Sequence, residues 1–179
     1  MLDAARDAVQ FAHGQTRGPF VSGEGETLGT RPPEFYRSCY GTPCSANNSV
    51  FLLALRLMLL RESYDNETGI PDGLFLAHAT PREWLEDGKR IVVKNSPTCF
   101  GPITYTIASH LNEARVDVDL DLPDRNPAKA LLLKLRVPTK MKLLSVTLNG
   151  NPYERFDSDK EVIDLSKSGG RMKITARYQ

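Results

Sequence analysis

The 179-residue chain carries a formal net charge of +1, with 40% hydrophobic and 25% charged residues. That length holds one large domain or two small ones, and the composition is that of an ordinary globular protein. So small a net charge, with Lys and Arg scattered and not clustered among aromatics, provides no field to recruit nucleic acid.

Leu2 to His13 opens the chain with apolar residues at Leu2, Ala5, Val9 and Ala12, a spacing that predicts an amphipathic helix. Gly14 ends it. Asp3, Arg6 and Asp7 follow Met1 too closely for a signal peptide. The chain is therefore expected in the cytoplasm, or in a secreted or periplasmic setting if a leader precedes it.

From Gln15 to Asn48 neither helical nor strand periodicity is sustained, and Gly18, Gly23, Gly25, Gly29, Pro32, Pro33, Gly41 and Pro43 punctuate the stretch. Phe20, Phe35, Tyr36 and Tyr40 are too many aromatics for a solvated linker. Glu24, Glu26, Glu34, Arg31 and Arg37 lie among them. Carboxylates and guanidinium groups bond sugar hydroxyls, and flat rings cover the apolar faces of pyranoses. Arg31, Tyr36, Arg37 and Tyr40 are thus candidate substrate-binding residues, and Glu24, Glu26 and Glu34 candidate catalytic carboxylates. A surface loop pinned by its aromatics accounts for the same residues. Cys39 and Cys44 are close enough to bridge or to remain reduced, and with Glu34 they match no specific metal-thiolate spacing.

Ser49 to Ser63, SVFLLALRLMLLRES, is the most apolar stretch; from Val50 to Leu60 only Arg56 is polar. Apolar residues on every face predict a helix buried on most sides, capped by Asn47, Asn48 or Ser49 and running to Tyr64. The run is too short to span a bilayer, so no membrane partner is expected. The breaks at 65–69 and 71–73 then mark a domain boundary, dividing the chain into a helical segment 1–70 and a β domain 71–179.

Beyond Gly73 the period changes to two. Strands are predicted at Leu74–Thr80, Lys89–Lys94, Ile103–Ser109, Ala114–Leu120, Leu131–Val137, around Leu144, Val146 and Leu148, at Glu161–Leu165 and at Met172–Tyr178. Asn149-Gly150 is a type I′ hairpin signal. Trp84, the sole Trp, lies in a short helical turn after Pro81 and is expected to be largely buried at the domain junction. The fold expected is α+β: a small N-terminal helical part packed on an antiparallel β-sandwich. Two helices and one sheet face enclose the apolar helix poorly, which points to a homo-oligomer or a missing upstream domain.

Few motifs carry chemistry. His13, His78 and His110 lie far apart without metal-ligand spacing, and no GxSxG, P-loop or GxGxxG is present. Asp117, Asp119 and Asp121 share one strand face and are expected to be a solvated outer row. No metal or cofactor is expected.

The helix FLLALRLMLLRE, the following GLFLAHATPREWLEDGKRIVVKNSPTCFGPITYTIAS, then LLLKLRVPTKMKLLSVTLNG and a closing strand ending in ARY together resemble a glycosidase family. They resemble the carboxyl-terminal end of six-hairpin, (α/α)6-barrel glycoside hydrolases, in which a last barrel helix passes into a β-sandwich domain. The PREWLEDGK and FGPITY stretches and the VTLNG hairpin carry the likeness. The catalytic carboxylates of that family lie on earlier hairpins, so no catalytic residue transfers by position. The resemblance implies a carbohydrate-linked protein, a glycosidase-derived accessory or glycan-binding module. Alternatives are a small autonomous glycoside hydrolase using the loop carboxylates, and a structural interaction domain without a sugar ligand.

Overall fold

The computed structural model of the protein describes residues 45–123, 128–138, 141–166 and 168–179. A single α-helix, α1 (Ser45–Leu59), precedes eleven strands among these residues. The strands are β1 (Leu60–Tyr64), β2 (Pro71–Leu76), β3 (Arg90–Ser96), β4 (Ile103–His110), β5 (Arg115–Asp121), β6 (Ala130–Lys134), β7 (Leu143–Leu148), β8 (Asn151–Tyr153), β9 (Phe156–Asp157), β10 (Val162–Asp164) and β11 (Arg171–Tyr178). Short 3-10 turns at Arg82–Leu85 and Leu111–Glu113 precede β3 and β5. The α+β class holds: a helix, then a β-sandwich.

The helix does not continue to Tyr64. The Leu59 carbonyl accepts hydrogen bonds from the Ala77 N–H and the Tyr105 hydroxyl, each at 2.7 Å. Leu60 then pairs with Leu76 to begin β1 antiparallel to β2. The apolar run suits helix or strand equally, and pairing with β2 settles it, a tertiary override of local propensity. The expected domain boundary at 65–73 is the connection of this hairpin. Its turn is closed by Asp65, whose Oδ1 accepts from the Glu67 N–H and from the N–H and hydroxyl of Thr68. The two compact units of the chain divide earlier, between Met58 and Leu59.

Burial on most sides of α1 is not observed either. Val50, Leu52, Leu53 and Leu57 are 66%, 64%, 53% and 44% exposed. Val50, Leu53 and Leu57, at i, i+3 and i+7, fall along one helix face.

The sandwich consists of a five-stranded sheet, β1-β2-β6-β10-β9, and a six-stranded sheet, β3-β4-β5-β11-β7-β8. Strand alternation sends Leu74, Leu76, Leu131, Leu133 and Ile163 of the first sheet, and Ile91, Ile103, Tyr105, Ile107, Val116, Val118 and Ile174 of the second, into one core. The antiparallel sandwich expected is observed, and it includes one parallel pair among the described strands. β2 and β6 run parallel, Leu74 opposite Leu131 and Leu76 opposite Leu133. Between them the chain crosses to the other sheet for β3 to β5 and returns, and such a long crossover permits two strands to enter a sheet in the same direction.

Two further details follow from local chemistry. Asn149 and Gly150 take φ of 51° and 83°, the positive angles of a type I′ turn. In β7 the alternation is broken: Arg177 pairs with Ser145 but Tyr178 with Leu143. Leu144 is the extra residue of a bulge and is exposed, while Leu143 is buried in its place.

Candidate functional site

The loop residues singled out for sugar chemistry, Glu24, Glu26, Arg31, Glu34, Tyr36, Arg37 and Tyr40, lie outside the described residues, as do His13, Cys39 and Cys44. Within the described sandwich, three regions bring polar side chains together.

On the outer face of the six-stranded sheet the carboxylates of β5 stand opposite the cations and hydroxyl of β11. Thr175 Oγ1 donates to Asp117 Oδ1 at 2.8 Å, and Arg115 and His110 approach Asp117 Oδ2 at 3.2 and 3.7 Å. Arg171 Nε donates to Asp121 Oδ2 at 3.2 Å, and Asp119 pairs across the ladder with Lys173. Each carboxylate is thus matched by a cross-strand neighbour, which stabilises the sheet. No grouping of His, Cys, Asp and Glu suited to a metal ion occurs among the described residues.

The outer face of the five-stranded sheet is richer in cations. The Arg61 guanidinium lies 5.4 Å from the centroid of the Phe75 ring, and His78 meets the same ring edge-on at 5.5 Å. Burial, and then the neighbouring Arg61, Lys134 and Arg136, hold the His78 imidazole below its ordinary range. Burial likewise lowers Lys134, opposed by Glu161. Arg82 forks onto Glu161, Nη1 to Oε1 at 2.6 Å and Nη2 to Oε2 at 2.9 Å, and also reaches the Val137 carbonyl. This bidentate pair ties the turn after β2 to the start of β10.

The third region is concave. A groove of about 420 Å³ runs beside β3 and is lined by Leu59, Trp84, Lys89, Arg90, Ile91 and Val92, a volume in the range of small-molecule sites. Its aromatic wall is built from the PREWLEDGK stretch. Leu85 is fully buried and fixes the 3-10 turn to the core. The Ser109 hydroxyl holds the Leu85 carbonyl at 2.7 Å, Lys89 Nζ holds the Glu83 carbonyl at 2.9 Å, and Asp87 grips Asn112 through both carboxylate oxygens. Trp84 is thereby presented with its inner part packed against the core and its outer part at the surface. Ile91 lies on the inner face and forms the floor, while Val92 is exposed. The described lining residues include no carboxylate and offer an apolar, aromatic surface with a cationic rim.

Sequence reasoning missed the groove. Its signal was there: Trp84 stands among Arg82, Glu83, Glu86 and Asp87, not in an apolar run, and β3 alternates Arg90, Val92 and Lys94 outward, a charged pattern typical of an edge strand. Comparison with protein-family models and with curated proteins finds no match for the chain.

Proposed function

We propose that the chain is a carbohydrate-linked module, glycosidase-related and glycan-binding, and not itself the catalyst. The observation that carries this reading is the groove at Trp84: an aromatic wall, an apolar floor and a cationic rim, without an acid pair among its described lining residues. Hydrolysis of a glycoside ordinarily needs two carboxyl groups ~5–10 Å apart. The resemblance of the helix-then-sandwich order to the end of a six-hairpin glycosidase supports the same class.

The test is a screen of aryl-glycosides and plant oligosaccharides for turnover and for binding. Glu24→Gln, Glu26→Gln and Glu34→Gln variants are run alongside. Binding without turnover, unaffected by the three substitutions, is the expected result. Turnover abolished by one of them, with folding intact, would make the chain a small hydrolase acting through its loop carboxylates. Absence of both across the panel would leave the carbohydrate reading without support.

A second reading rests on α1. Its exposed Val50, Leu53 and Leu57 form an apolar face of the kind that marks an interface. On this reading the module also works in association, with a second copy or with a helical domain.

A further inference from the structure

We propose that the groove beside β3 binds an anionic saccharide, its carboxylate or sulfate taken by Arg90 and its ring lying on Trp84. This rests on the carbohydrate reading above and names the ligand class. Among the groove's cations, Lys89 is already engaged, with Glu86 Oε2 at 2.6 Å and the Glu83 carbonyl at 2.9 Å. Its charge and that of Glu86 cancel. Arg90 is exposed, and beyond its backbone pairing in the β3–β4 ladder its side chain makes no ion pair or hydrogen bond among the described residues. Lys94, exposed farther along the strand, is in the same position. An uncommitted guanidinium at the mouth of an apolar, aromatic-walled groove matches a ligand with one flat apolar face and one planar or tripodal oxyanion.

The strand adds a second complement. β3 is the edge of its sheet and pairs with β4 alone among the described strands, so it turns unpaired N–H and C=O groups outward. Sugar hydroxyls are both donors and acceptors and can use such a row. The bulge between Val93 and Ser96, with Asn95 at φ 47°, interrupts the edge, which disfavours a long extended peptide as occupant and suits a shorter ligand.

Trp84 is the sole Trp, so its fluorescence reports this groove directly. The full chain is titrated with oligogalacturonate, with a sulfated oligosaccharide, and with methyl-esterified oligogalacturonate of the same length, followed by emission and by calorimetry. The expected result is saturable binding of one or both anions, weakened by salt. The ester is expected to bind at least roughly tenfold more weakly, as is either anion to Arg90→Ala, in line with losing a charged hydrogen-bonded contact. Arg90→Lys should restore part of the loss. Trp84→Ala should lower affinity by calorimetry, with circular dichroism confirming that the variants fold. A preference for the carboxylated or the sulfated probe identifies the anion. Equal affinity for the ester, or anion binding indifferent to both Arg90→Ala and Trp84→Ala, overturns the groove proposal while the carbohydrate reading stands. Absence of binding to any glycan, neutral or anionic, sinks both. An acidic peptide that quenches Trp84 where no saccharide does would replace the saccharide as occupant.

Discussion

At the scale of single residues, Arg82 and His78 carry the clearest consequences. The Arg82 fork holds Glu161, whose side chain is only 18% exposed. Arg82→Ala leaves that carboxylate part-buried without its partner and is expected to lower stability by ~1–3 kcal/mol. Arg82→Lys keeps the charge but not the fork and should fall between. Urea denaturation reads both, and a loss below about 0.5 kcal/mol for the alanine variant would mean the pair is merely a surface contact. His78 titrates in the opposite sense to a salt-bridged histidine. Burial and the cations around it lower its affinity for a proton in the folded chain, so the unfolded chain, near the ordinary ~6.5, binds the proton first. Stability is unaffected above that value and declines as pH falls below it. Thermal melts between pH 8 and 5 should therefore fall less steeply for His78→Asn than for the parent chain. Parallel slopes would show that His78 is not the group responsible.

At the scale of elements, the β7–β8 hairpin and α1 make contrasting demands. Gly150 has φ of 83° with open space where a Cβ would stand. Gly150→Ala is therefore strained by backbone conformation and not by a clash, and should cost ~1 kcal/mol by thermal melt. The loss should be larger for Gly150→Val, since a β-branched side chain tolerates positive φ least. The tip is also docked: Asn149 Oδ1 accepts from the Lys173 N–H at 2.8 Å, so replacing Asn149 loosens the hairpin from β11. For α1 the exposed apolar face should drive association. Light scattering of the parent chain is expected to show a species larger than the monomer, and Leu53→Glu with Leu57→Glu to shift it toward monomer without loss of helix signal. A parent chain that is monodisperse and monomeric would remove the interface reading of this face.

At the scale of the whole molecule, two sheets share a single core, with Leu76, Leu85, Ile107, Leu133, Leu135 and Ile163 fully buried at its centre. Circular dichroism should therefore be dominated by strand signal. Leu133→Ala, in a parallel pair with β2 and opposite Ile163 of β10, is expected to cost ~2–5 kcal/mol. A cost near zero would place Leu133 at a tolerant margin, not at the centre of the core.

Sequence alone determined what depends on short-range pattern. The period-two alternation of Val116, Val118 and Leu120 against Asp117, Asp119 and Asp121, and the Asn149-Gly150 turn, each specify a backbone state within a few residues. Most of the sandwich was therefore legible strand by strand, β1 excepted. What depends on a partner distant in the chain was not. An apolar run such as Val50 to Leu60 suits a helix or a buried strand, and only capture of the Leu59 carbonyl by Ala77 and Tyr105 ends the helix there. The parallel β2–β6 pair depends on a crossover, the exposure of Leu144 on a bulge opposite Tyr178, and the Arg82–Glu161 fork on two segments far apart in sequence. The groove belongs to the same class. Leu59, Trp84 and Val92 are unremarkable apart, and meet only because the sheets stack with β3 at an edge. Pattern records what each residue does to its own backbone; which residues face one another is settled by the closing of the core.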